Sequence, residues 1–189
     1  MTCKINADTT DGLKITSDTS GIVEIQANGT KSNNLSFTGR IVQTVNTQTG
    51  AVATGTTTMP QDDTIPQNTE GVEVMTLAIT PTNSSNKLKI DVVWHGANSA
   101  SSGIMVAALF QDTTANALSA SSAGSTEAAN DMKDIVFSHF MTAGTTSETT
   151  FKVRAGLNAA GTTTFNGVSS SRRLGGVFAS SITIQEIEV

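Results

Sequence analysis

From residue 40 onward the sequence breaks into short runs in which apolar and polar residues alternate, and a period of two confines a chain to strands. The alternation is clearest in Leu88, Ile90, Val92 and Trp94, and again in Phe151, Val153, Ala155 and Leu157. Successive side chains on a strand point to opposite faces, so each run offers one face to a core and the other to water. A helix would need apolar residues three and four apart, built from Leu, Glu, Lys and Ala, and such runs are scarce.

The spacing predicts strands at 40–45, 53–59, 73–80, 87–96, 103–111, 133–142, 148–156, 162–166 and 180–189. Turn material separates several of them: Pro60-Gln61-Asp62-Asp63, Pro81-Thr82-Asn83-Ser84-Ser85-Asn86 and Asn166-Gly167. Composition agrees. Only 14% of the residues are charged, against about 25% in an ordinary soluble domain. Thr, Ser, Asn and Gly take their place, the residues of strands and turns. The expected fold is all-β, an antiparallel β-sandwich of jelly-roll type over residues 40–189. The Ala/Ser-rich stretch 115–131 is expected to be a long loop.

Residues 1–39 differ in character. Two runs, 12–17 and 21–26, are separated by Asp18-Thr19-Ser20, and Asn28-Gly29 follows as a hairpin signal. A weaker run is Leu35-Ser36-Phe37. Strands this short expose too little apolar surface to fold alone. The segment is therefore expected to be a β-repeat that docks on a neighbour through Leu13, Ile15, Ile22 and Ile25.

Two strands carry apolar residues on both faces. In 133–142, Ile135, Phe137, His139 and Met141 alternate with Val136, Ser138 and Phe140; 103–111 behaves alike. The outer face of an antiparallel sandwich is normally solvated, so something must cover these. The chain's own loops are one cover and a subunit interface is the other. The interface candidates are Ile104, Val106, Leu109, Phe110, Ile135, Phe137, His139, Phe140, Ile182 and Ile184. Along 182–189 the alternation changes parity near Glu186, which predicts a bulge or a strand shared between faces.

No residue pattern calls for catalysis, and no catalytic, cofactor-binding or metal-binding residue is assigned. His95 and His139 each sit among apolar neighbours in a strand, where a histidine is a packing residue more often than a general base. Cys3 is the single cysteine and has no evident base. Asp62-Asp63 could offer oxygen to a cation, but adjacent carboxylates in a Pro-bounded turn are usually a solvated turn. Arg172-Arg173 could hold a carboxylate across an interface or simply decorate a loop. With a net charge of −5 and no larger Lys/Arg cluster, binding to nucleic acid is not expected. No apolar run approaches the ~20 residues of a membrane span, and the first residues lack a signal peptide's apolar stretch. Synthesis in a cytoplasm without membrane insertion is the expectation.

The stretch Asp11-Gly12-Leu13-Lys14-Ile15-Thr16-Ser17-Asp18-Thr19-Ser20-Gly21, continued by Gln26-Ala27-Asn28-Gly29-Thr30, resembles a segment of tailed-phage virion proteins. The body resembles a domain of phage fibre and decoration proteins at Ile65-Pro66-Gln67-Asn68-Thr69-Glu70-Gly71, Ile79-Thr80-Pro81 and Asn86-Lys87-Leu88-Lys89-Ile90. Arg173-Leu174-Gly175-Gly176 and Ser181-Ile182-Thr183-Ile184-Gln185-Glu186-Ile187 close it. The resemblance implies a homotrimeric jelly-roll head that docks through residues 1–39 on other virion proteins, as a capsid decoration (head fibre) or short tail fibre. The alternative is a receptor-binding head whose loops 97–102 and 112–130 contact a host glycan or surface protein. A polysaccharide-degrading spike is a third reading, against which the chain is short.

Overall fold

The computed structural model describes residues 26–27, 30–31, 39–124 and 128–189. By its internal contacts the chain divides into two units, Met1–Phe37 and Thr38–Val189. In the first, β1 (Gln26–Ala27) pairs antiparallel with β2 (Thr30–Lys31), placing the Asn28-Gly29 signal between two paired strands. Residues 12–17, 21–25 and 35–37, with the docking candidates Leu13, Ile15, Ile22 and Ile25, lie outside the described residues.

The second unit is an antiparallel sandwich. Its strands are β3 (Ile41–Thr49), β4 (Ala53–Gly55), β5 (Val72–Ile79), β6 (Lys87–Asn98), β7 (Met105–Gln111), β8 (Ser119–Ser122) and β9 (Met132–Thr142). After them come β10 (Thr149–Leu157), β11 (Thr163–Phe165), β12 (Gly167–Val168), β13 (Ser171–Arg172) and β14 (Ser180–Ile187). One sheet runs β5-β10-β7-β8. In the other, β6 carries β9 along one side and β14 then β11 along the opposite side, with β3 beyond β14 and β4 beyond β11. The eight principal strands thus divide between two four-stranded layers in jelly-roll order, β3-β14-β6-β9 facing β5-β10-β7-β8.

Alternation puts the core where the sequence expects it. Leu88, Ile90, Val92 and Trp94 of β6 and Ile182 and Ile184 of β14 face Met105, Ala107, Leu109, Phe151, Val153, Ala155 and Leu157 across the layers. Gly96 continues the inward row of β6 because Trp94 needs the room: a Cβ there would come within 2.5 Å of the indole.

Three expectations fail. The strand expected at 53–59 stops at Gly55, and the chain then leaves the sheet to bury Met59 completely. The loop expected at 115–131 contains β8, paired to β7 with Val106 opposite Ser122 and Leu109 opposite Ser119. Ser-Ala-Ser-Ser has no apolar alternation, so only its partner strand makes it a strand. The pairing of β14 with β3 shifts register between Glu186 and Ile187, but the extra residue is Val42 of β3. β14 pairs with β6 without a shift and alternates regularly, so the parity change reflects a carboxylate at an inward position and not a bulge in β14.

Candidate interaction surfaces

Both apolar faces of β7 are covered by the chain itself. One joins the main core. On the other, Val106, Ala108 and Phe110 form a second cluster with Met59, flanked by Ile104 and Ala117. The segment that brings Met59 there is tied down at Met59 N to Leu157 O (2.9 Å) and Gly71 N to Thr58 O (2.9 Å). Arg154 holds its far end, Nε donating to Glu70 O (2.8 Å) and Nη2 to Gly71 O (2.9 Å). Gly71 turns there with φ 58°, and a Cβ on it would strike the Met59 methyl and Ala155 O. This corrects part of the interface set. Val106, Leu109, Phe110, Ile182 and Ile184 are buried inside the folded unit, as is Ile135, so their surfaces already have partners. Ile104, Phe137 and His139 are partly buried.

Phe140 alone of that set is open, at 56% exposure; Val136, which the sequence already put on the same face, and Met132 were left out of the set. The outward row of β9 exposes Val136 (64%) and Met132 (48%) as well. Across the sheet Val136 lies opposite Val93 and Phe140 opposite Lys89. At the upper end of this face the His95 imidazole stacks on Phe178, ring centres 4.8 Å apart, and Nδ1 donates to Asp134 Oδ1 at 2.5 Å. Among the described residues neither imidazole is hydrogen bonded to a hydroxyl or thiol, the arrangement a nucleophile would need. Burial pushes the His139 imidazole below its ordinary value, favouring the neutral ring.

Asp62 and Asp63 border an open groove of about 320 Å³ lined also by Thr64, Ile65, Pro66 and Ala117 to Ala120. Asp62 Oδ1 accepts from Thr64 N (2.9 Å) and Thr64 Oγ1 (2.5 Å), an Asx turn that holds its carboxyl below the usual range. Among the described residues no three His, Cys, Asp or Glu side chains converge as a metal site would require. Arg172 and Arg173 are exposed. Of the expected receptor loops, 97–102 begins inside β6, with Ala97 and Asn98 buried, and 112–130 contains β8.

Among the described residues the most heavily bonded side chain is Glu186, buried on β14. Its carboxylate accepts from Gln43 Nε2 (2.5 Å), Asn86 Nδ2 (2.7 Å), Thr82 Oγ1 (2.8 Å), Thr82 N (2.9 Å) and Asn83 N (3.2 Å). Burial alone would raise its pKa. The donated hydrogen bonds outweigh that and hold it at about 2. The sequence signal was on the page as the parity change: a carboxylate at an inward position of an apolar strand. It pins the 82–86 turn, which leads into β6.

No family model matches the chain, and no curated protein matches it. Solved structures with a similar backbone path include the Eiger TNF of S. frugiperda, at 11% identity over 78% of this chain and 94% of that one, TM-score 0.38. A sugar-binding C-terminal domain of EclA shares 13% identity over 72% and 84%, TM-score 0.33. The Gx strain of infectious bursal disease virus shares 12% over 88% of this chain and 42% of that one, TM-score 0.36. Likenesses at these values assign no activity, partner or location. Among the described residues no helix is long and apolar enough to cross a membrane.

Proposed function

We propose that the chain is a non-enzymatic structural module of a tailed-phage particle, displayed at the surface, whose copies associate through the sandwich while residues 1–39 dock on other virion proteins. The observation that carries the self-association is the row Met132, Val136 and Phe140, exposed together on one face of one strand. Asp134 and Ser138 separate the three along the strand, but three large apolar side chains exposed on one face of one edge strand favour a partner where apolar residues scattered singly would need no explanation. The particle context rests on the resemblance at residues 11–30 and in the body. Deletion of residues 1–39 tests the division of labour: the sandwich alone stays soluble and self-associated but no longer co-sediments with particles. Retained attachment overturns it.

A second reading, contact with a host glycan or surface protein, is favoured by the groove between Asp62 to Pro66 and Ala117 to Ala120. Carboxylates and hydroxyls beside an exposed Ile65 can engage a sugar's hydroxyls and its apolar face. Binding of the purified protein to host cells, lost on Asp63→Ala, supports that reading; no binding by the intact protein removes it.

A further inference from the structure

We infer that β9 pairs edge to edge with β9 of a second copy, across a two-fold axis at Val136, joining the two β9-bearing sheets into one. The inference rests on the self-association reading and names its surface and geometry. β9 is hydrogen bonded to β6 along one side, and among the described residues nothing pairs with its other side. Its eleven residues run without a register shift or a proline, the devices that usually blunt an edge. Its lysine, Lys133, is tied to Asp131 at 2.9 Å. The corresponding edge of the other layer is protected: β8 is four residues long and flanked by the 61–67 segment, through Gln61 Nε2 to Ser122 Oγ (2.9 Å) and Ala117 N to Pro66 O (2.9 Å).

The backbone of β9 fixes which groups are free. Ala143 N donates to Asn86 O at 2.8 Å, and this pair continues the β6–β9 register, in which Lys87 faces Thr142. Hydrogen-bonded pairs alternate along an antiparallel ladder. The odd-numbered residues of β9 therefore bond to β6, and the even-numbered ones aim their N–H and C=O at the open edge. Those same even positions carry the exposed side chains. A two-fold partner must consequently place even residues opposite even residues.

Chemistry then selects among the permitted registers. With Val136 opposite its own copy, Met132 faces Phe140, Asp134 faces Ser138, and Ile135 faces Phe137. All three exposed apolar side chains gain apolar partners, and Asp134 gains a hydroxyl donor. An axis at Asp134 sets two carboxylates against each other. Axes at Ile135 or Phe137 set Val136 or Phe140 against Asp134 or Ser138. An axis at Ser138 pairs Val136 with Phe140 but leaves Met132 beyond the overlap. The strand is self-complementary about Val136, which is what a two-fold interface demands. Such a pair is not the trimer that the resemblance implies, so stoichiometry separates the two.

Sedimentation velocity on the full chain should give twice the monomer mass. Val136→Lys should halve that mass with an unchanged circular dichroism spectrum, and its melting temperature should no longer depend on protein concentration. Val136→Pro should do the same, because the N–H it removes faces the open edge. In a Cys3→Ser background, Val136→Cys should cross-link on mild oxidation, since paired Cα atoms about 5.5 Å apart suit a disulfide. Ser138→Cys should not, its copies lying roughly 14 Å apart at about 3.4 Å per residue. Cross-linking through Ser138→Cys instead, or a dimer indifferent to Val136→Lys, overturns the pairing. A trimer without the Val136→Cys cross-link overturns it and leaves self-association standing. A monomeric full chain removes both.

Discussion

Strands β7 and β9 look alike as sequences, apolar on both faces, and the fold treats them oppositely. β7 lies inside its sheet, between β10 and β8, and the 57–71 segment lays Met59 over its second face. β9 lies at an edge, and its outward row stays in the open. A strand without a polar face reports only that both faces will be covered. Whether the cover is intramolecular depends on where the strand sits in the sheet and on what the connecting segments can reach.

The sharpest way to break the contrast is to truncate one aromatic on each strand. Phe110→Ala empties a fully buried site and should cost about 3–5 kcal/mol, read as a lower urea midpoint. Met59→Ala removes the cover from the same face and should cost about 2–4 kcal/mol; in the double variant the two losses should fall short of additivity, because the side chains share one cluster.

Acid should loosen the sheet that carries β9 while leaving the cover of β7 alone. The Glu186 carboxyl is depressed from 4.5 to about 2, so it stabilises the fold above about pH 4.5 and loses that contribution as pH falls toward 2. The loss should amount to about 3 kcal/mol, at 1.36 kcal/mol per unit. Glu186→Gln should be destabilised by a similar amount at neutral pH and should lack this acid dependence, measured by urea unfolding across the range. A wild-type stability that stays flat from pH 5 to pH 2 would contradict the anchor. Smallest on the fold is Phe140→Ala, expected within about 0.5 kcal/mol of the parent because the ring is exposed. Its effect should instead fall on association, and a large loss of monomer stability would mean that the row belongs to the core.

The legible parts of the sequence were those where one residue's periodicity settles its neighbours. Leu88 to Trp94 and Phe151 to Leu157 alternate so regularly that their strands and inward faces followed directly, and Asn28-Gly29 marked a hairpin without help. β8 was illegible because Ser-Ala-Ser-Ser carries no pattern and owes its strand to β7. Met59 and Glu186 were legible only as irregularities, an overlong strand and a change of parity. Their partners, Phe110 at one site and Thr82, Asn83 and Asn86 at the other, lie far along the chain.

By itself the sequence determined the class of structure, an antiparallel sandwich, and most of its core, because period-two burial is a local property of each strand. The tertiary structure decided which of the two-faced strands is left without a cover. That choice depends on strand order in the sheet and on the path of the 57–71 segment, both set by contacts between distant residues that no local pattern encodes.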